Sequence, residues 1–176
     1  ESAIRQLAIE LAPHQIAANS IQAGVTDTEA LRKIPGSESM INNAAQNNPN
    51  NRLTLPEDVA KAMEGCDAVY HFAAQADIDA SSSTPTSTIT SNIIGTQNIL
   101  EAARKHKVKR FMFASTIYVY SDLGSFYRVS KQACEKIIEE YWRQYDLVYT
   151  ILRFGSLYGP RANKFNGIRE FLTQAL

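Results

Sequence analysis

Tyr127 and Lys131 stand four residues apart in the stretch Phe126-Tyr127-Arg128-Val129-Ser130-Lys131. On a helix, positions i and i+4 share a face, so the two side chains point the same way. An ammonium beside a phenol favours the phenolate and lowers the tyrosine pKa from about 10. A phenol tuned that way takes a proton from an alcohol while hydride leaves the carbon. A hydroxyl at the end of the preceding strand can hold the substrate oxygen, and Thr116, beside Ser115, stands there. In a chain with eight tyrosines the pair alone is a weak signal, and its plain reading is a solvated helix face. Hydride chemistry also needs a nicotinamide, and a nicotinamide needs a phosphate cradle.

The surrounding pattern supplies elements able to position these groups. After Gly65, apolar strand-like runs at 67–74, 109–116 and 147–155 alternate with helical patterns at 92–106, 125–144 and 166–176. Strands apolar throughout and separated by helices predict an α/β fold, a Rossmann-like parallel sheet with helices on both faces. Before Gly65, Ile4, Leu7, Ala8 and Leu11 form a helical stripe stopped by Pro13. Residues 15–21 read as a short strand, and 28–34 and 37–46 as short helices, with Ser37 as N-cap. Asn47 to Asn51 form a loop, and Thr54 and Glu57 are spaced as a capping box for a helix over 56–64 opened by Pro56. Residues 3–24 and 136–155 repeat one unit: helix, break, strand, glycine.

Composition narrows the function classes. Lysine plus arginine equals aspartate plus glutamate at 18 each, which favours neither nucleic acid nor an anionic membrane as partner. The apolar runs are too short to span a bilayer, and no signal peptide opens the chain. Cys66 and Cys134 have no metal-ligand spacing and read as packing residues, with a reducing cytoplasm as the default. His14, His71 and His106 are too scattered for a metal site. His71 reads as a half-buried strand residue.

From about Val59 to Leu176 the chain resembles the extended short-chain dehydrogenase/reductase family, the NAD-dependent nucleotide-sugar epimerases and dehydratases. The residues that carry the resemblance are "AMEGCDAVYHFAAQA", "NIIGTQNILEAARKHKVKRFMFAST", "STIYVYS", "YRVSK" and "LRFGSLYGPRAN", in that order. The resemblance implies Tyr127 as acid/base, Lys131 as its partner at the nicotinamide ribose, and Thr116 as the catalytic hydroxyl. It implies that Ala73, Ala74, Asn92 and Ser115 line the cofactor, and that Tyr158, Arg161 and Asn163 begin the substrate loop. It further implies a nucleotide-sugar substrate, and a homodimer through helices at about 88–106 and 125–144 bearing Ile94, Ile99, Ile137 and Ile138. Two features depart from that pattern. Ser121 follows Tyr120 where the family has glycine, and Thr116 and Tyr127 are only 11 positions apart, as in the smaller classical members.

Residues 1–58 resemble a different relative, the C-terminal third of classical, enoyl-reductase-like short-chain reductases. There Thr28 matches a threonine that contacts the nicotinamide amide. The two resemblances meet near "RLTLPEDVAKAM", so the chain reads as one Rossmann-like domain of chimeric origin, with its first βαβ unit missing. The glycines at 24, 36, 65, 95, 124, 155, 159 and 167 never form the Gly-x-x-Gly-x-x-Gly turn that brings backbone N–H groups to a pyrophosphate. Asn51-Arg52 stand where an acid for the adenosine ribose is expected. Weak or absent NAD binding by this chain alone is therefore the expectation. A non-catalytic remnant serving as a structural or oligomerising module is the alternative to an enzyme.

Overall fold

A computed structural model of the chain describes residues 2–21, 23–27, 29–32, 36–157, 159 and 167–175. They form two compact units, 1–64 and 65–176.

In the first unit, α1 (Ser2–Leu11) is ended by a 3-10 turn at Ala12–His14 that contains Pro13. Residues 15–21 form no strand. Ile16 and Ile21, the apolar residues that suggested one, are exposed, and a lone extended segment without a paired neighbour has nothing to hold it. Chain pairing occurs instead at Thr26 and Thr54, a parallel bridge in which Asp27 N donates to Thr54 O at 2.8 Å and Thr54 N to Val25 O at 3.1 Å. Two helices follow, α2 (Glu29–Arg32) and α3 (Ser37–Asn47). Ser37 is not the N-cap of α3. Gly36 takes that position in the left-handed region, at φ 77°, where a residue without a Cβ is at no disadvantage. Pro56 does open α4 (Pro56–Lys61). Its N-terminal carboxylate is Asp58 rather than Glu57: Asp58 Oδ2 accepts from Leu55 N at 2.8 Å, while Arg52 grips the same carboxylate at 2.7 and 2.9 Å.

The second unit carries the parallel sheet. Its elements are β1 (Ala68–His71), α5 (Ile78–Ser83), α6 (Pro85–Ile89), a π-helical turn at Thr90–Ile94, α7 (Gly95–Lys105), β2 (Arg110–Thr116), a 3-10 turn at Ile117–Tyr120, α8 (Ser125–Tyr145), β3 (Tyr149–Phe154) and α9 (Gly167–Ala175). The three strands run parallel in the order β1-β2-β3, with Val69 opposite Phe111 and Phe113 opposite Ile151. Side chains alternate across a strand. Phe111, Phe113 and Ser115 of β2 are buried on one face with Leu100 and Ala103 of α7 and Cys134 and Ile138 of α8. Tyr70, Phe72 and Phe154 lie on the other face and are exposed. Ile138 therefore belongs to the core, whereas Ile94 lies exposed. Among the described residues, neither Cys66 nor Cys134 forms a disulfide. Among the described residues there is no cluster of metal-ligating side chains, and no helix long and apolar enough to cross a membrane.

Candidate active site

Strand β2 delivers Thr116 at its C-terminal end, where ligand crevices of open parallel sheets lie. Thr116 also starts the 3-10 turn, its hydroxyl accepting from Tyr118 N at 3.3 Å. The chain then returns at once into α8. Gly124, at φ 95°, caps that helix, and a Cβ there would meet Tyr118 at 3.1 Å. The short connection between Thr116 and Tyr127 thus depends on a residue with no side chain.

Tyr127 lies in the first turn of α8 and Lys131 one turn later. Tyr127 N donates to Ser81 Oγ at 3.3 Å, tying the helix start to α5. Lys131 is buried. Its Nζ donates to Ala114 O at 2.7 Å and lies 4.5 Å from the centre of the Phe113 ring and 5.8 Å from that of Tyr127. Burial pushes the Lys131 ammonium down to about 8. Burial also pushes the Tyr127 phenol up, and the hydrogen-bonding Thr116 hydroxyl pulls it partly back. The lowered phenol expected from the Tyr–Lys spacing is therefore not found. In this arrangement Lys131 directs its proton to a backbone carbonyl, and removal from water dominates the phenol. Burial, with the Lys131 charge second, holds His71 down at about 4. His71 Nε2 and Thr96 Oγ1 are 3.1 Å apart.

Lys131 has a consequence for stability. Its folded pKa lies below the unfolded value of about 10.4. Between pH 8 and that value the unfolded chain binds more protons, so stability rises with pH through this window. The rise should be roughly 3 kcal/mol, at 1.36 kcal/mol per unit. Urea unfolding across the window is expected to show it in the wild type, with Lys131→Met flattening that limb.

Thr116, Tyr127 and Lys131 converge on one cavity of about 270 Å³, also lined by Ala74, Ser115 and Ile117. Ala73 is exposed beside it. Asn92 occupies the π-helical turn, and its carboxamide is buried and fully engaged. It accepts from Gln75 N at 2.7 Å and donates to Gln75 O at 3.0 Å and Ser130 Oγ at 2.8 Å. It thereby clips the segment after β1 to the helix of Tyr127. Thr28, Tyr158, Arg161 and Asn163 lie outside the described residues. Sequence reasoning missed Glu135 and Arg153. Glu135, 6% exposed, accepts from Ser115 Oγ at 2.5 Å and takes a two-pronged grip from Arg153 at 3.0 and 2.7 Å. The available signal was spacing: Tyr127, Lys131 and Glu135 follow one another at four-residue steps on one helix face.

The model of the family described as "NAD dependent epimerase/dehydratase family" matches residues 10–176. An uncharacterized UDP-glucose epimerase of Bacillus subtilis is 31% identical over 135 residues, covering 69% of this chain and 43% of that protein. The dTDP-glucose 4,6-dehydratase of Streptomyces antibioticus is 30% identical over 131 residues, covering 67% and 39%. The chain thus spans less than half the length of these relatives. Among solved structures, the Thermus thermophilus UDP-glucose 4-epimerase in complex with NAD superposes with a TM-score of 0.55 at 29% identity, covering 66% of this chain and 46% of that one. A dTDP-glucose 4,6-dehydratase from Streptomyces venezuelae, at 23% identity and a TM-score of 0.62, covers 99% of this chain and 59% of its own, and establishes a shared fold.

Proposed function

Because the chain belongs to the NAD dependent epimerase/dehydratase family, we propose that it carries the reaction centre of a nucleotide-sugar epimerase or dehydratase, acting by transient oxidation of a sugar hydroxyl. The observation that carries this reading is the convergence of Thr116, Tyr127 and Lys131 on one cavity at the C-terminal end of β2. The fit to NAD is partial. A cavity of about 270 Å³ is smaller than the ~300–1,000 Å³ of ordinary ligand pockets. Its Lys131 ammonium and Tyr127 phenol suit the nicotinamide–ribose end. When bound, NAD supplies the hydride acceptor and donor.

The chain's own residues do the rest. Thr116 orients the sugar hydroxyl towards Tyr127. Tyr127, as phenolate, accepts the hydroxyl proton and returns it in the reverse step; burial favours the neutral phenol, so the reactive form grows as pH rises. Lys131 supplies positive charge beneath the phenol, and its lowered pKa lets it relay a proton near neutrality. Ala73 and Ala74 offer small side chains along the cofactor, and Asn92 holds that segment in place. Thr28, Tyr158, Arg161 and Asn163 are assigned to nicotinamide and substrate contacts by resemblance to the family.

The test is incubation of the chain with excess NAD and, in turn, UDP-glucose and dTDP-glucose, with products separated by chromatography. A C4 epimer or a 4-keto-6-deoxy sugar is expected. No product from either, with the sugar fully recovered, would favour the second reading, a non-catalytic module. The missing glycine turn supports that alternative. We also infer a homodimer through α7, the π-helical turn that leads into it, where Ile94 stays exposed, and α8. Light scattering that finds only monomer at high concentration would remove it.

A further inference from the structure

We propose that Glu135 is the positioning residue of the site, setting the end of β2 that carries Thr116 against the helix that carries Tyr127 and Lys131. This rests on the Tyr–Lys–Thr reading above. Glu135 lies one turn beyond Lys131 and two beyond Tyr127, on the same stripe of α8. Its carboxylate accepts from Ser115 Oγ at 2.5 Å, next in sequence to Thr116. Arg153 of β3 meets both carboxylate oxygens, Nε at 3.0 Å and a terminal nitrogen at 2.7 Å. The same guanidinium donates to the Tyr120 hydroxyl and stacks 4.9 Å from the centre of that ring. Tyr120 closes the 3-10 turn that Thr116 begins. One buried carboxylate thus joins α8, the end of β2, β3 and the turn between Thr116 and Tyr127.

An ion pair that served stability alone would be a poor use of these residues. Burial of a charge is costly, and well-packed apolar replacements of both partners are often neutral or stabilising. What an apolar pair cannot do is hold Ser115 by a hydrogen bond and orient a guanidinium towards Tyr120. Burial pushes the Glu135 carboxyl up, but the Arg153 and Ser115 hydrogen bonds outweigh it and leave it below the ordinary carboxylate range. The group is therefore charged, and acts as acceptor, throughout the neutral range.

The experiment compares the wild type with Glu135→Gln, Glu135→Asp and the double variant Glu135→Met/Arg153→Met. Urea unfolding gives stability, and sugar-nucleotide turnover gives kcat and KM separately. The titration of Tyr127 is followed by NMR of protein labelled at tyrosine Cζ, with Tyr127→Phe identifying its signal. In the double variant, stability is expected to hold while kcat falls about ten- to a hundredfold, the scale of a small misplacement of reacting groups, with KM nearly unchanged. In Glu135→Gln and the double variant, the Tyr127 midpoint is expected to fall by about half a unit, since burial of the phenol, the main cause of its raised value, loosens when the support of the site is removed. Glu135→Asp is expected to restore part of both. A Tyr127 midpoint unchanged in both variants, or a kcat that follows stability alone, would overturn the proposal. If Glu135→Gln does not fold, the double variant and Glu135→Asp decide. If the wild type turns over no sugar nucleotide, the catalytic reading fails, and the Tyr127 titration still decides whether Glu135 sets the site.

Discussion

Titration of the 176-residue chain with NAD is expected to give binding no tighter than millimolar. Dinucleotide affinity in this fold concentrates where a glycine turn and helix N-terminal amides meet two phosphate charges. No pair of the chain's glycines has the spacing for that turn. Residues 15–21, which would have led Gly24 to a strand end, form no strand, and a Cβ on Gly24 would meet Thr54 Oγ1 at 3.2 Å. Asp27, a carboxylate that would repel phosphate there, is held by Arg32 at 2.7 and 2.6 Å. Hydrogen bonds to charged groups contribute about 1.5–3 kcal/mol each. Two or three missing at the pyrophosphate weaken binding by roughly two to six orders of magnitude, at 1.4 kcal/mol per tenfold. Calorimetry reads the outcome directly. Micromolar binding abolished by Lys131→Ala would mean that the chain builds a phosphate site from other residues.

Tyr127→Phe is expected to lower turnover by about 10²–10⁴-fold, the range for loss of a positioned acid/base, while leaving the fold intact. The ring lies against the Lys131 ammonium and the helix start is anchored through Tyr127 N to Ser81; phenylalanine keeps the ring and the backbone bond. The phenol's folded pKa is raised by burial, so replacing it removes no charge near neutrality. Unfolding curves that superpose, together with undiminished product formation, would show that Tyr127 is not the proton carrier.

The second unit was legible because its signals are local and mutually consistent. The runs at 67–74, 109–116 and 147–155 became β1, β2 and β3, β1 and β3 trimmed at both ends and β2 by one residue at its start, with Phe111 and Phe113 of the central strand buried. The 20-residue helical reading at 125–144 matches α8, Ser125–Tyr145. The first unit misled where the signal was thin. Two isoleucines in seven residues suggested a strand at 15–21, yet pairing requires a partner that residues 15–21 do not have. At α3 and α4 the caps shifted by one residue, from Ser37 to Gly36 and from Glu57 to Asp58, because the helix start depends on backbone dihedrals and on where Arg52 can reach.

By itself the amino-acid sequence determined the parallel α/β class, the order of the strands along the chain, and the shared helix face of Tyr127 and Lys131. Periodicity and spacing encode these directly. Only the tertiary structure decided the protonation balance and the support of the site. Burial, not the neighbouring lysine, governs the Tyr127 phenol, because desolvation depends on what the whole fold packs around it. The Lys131 ammonium turns to Ala114 O, a carbonyl 17 positions away. Glu135 meets Ser115 and Arg153 from two different strands, a meeting that no local spacing specifies, because it exists only once β2, β3 and α8 are packed together.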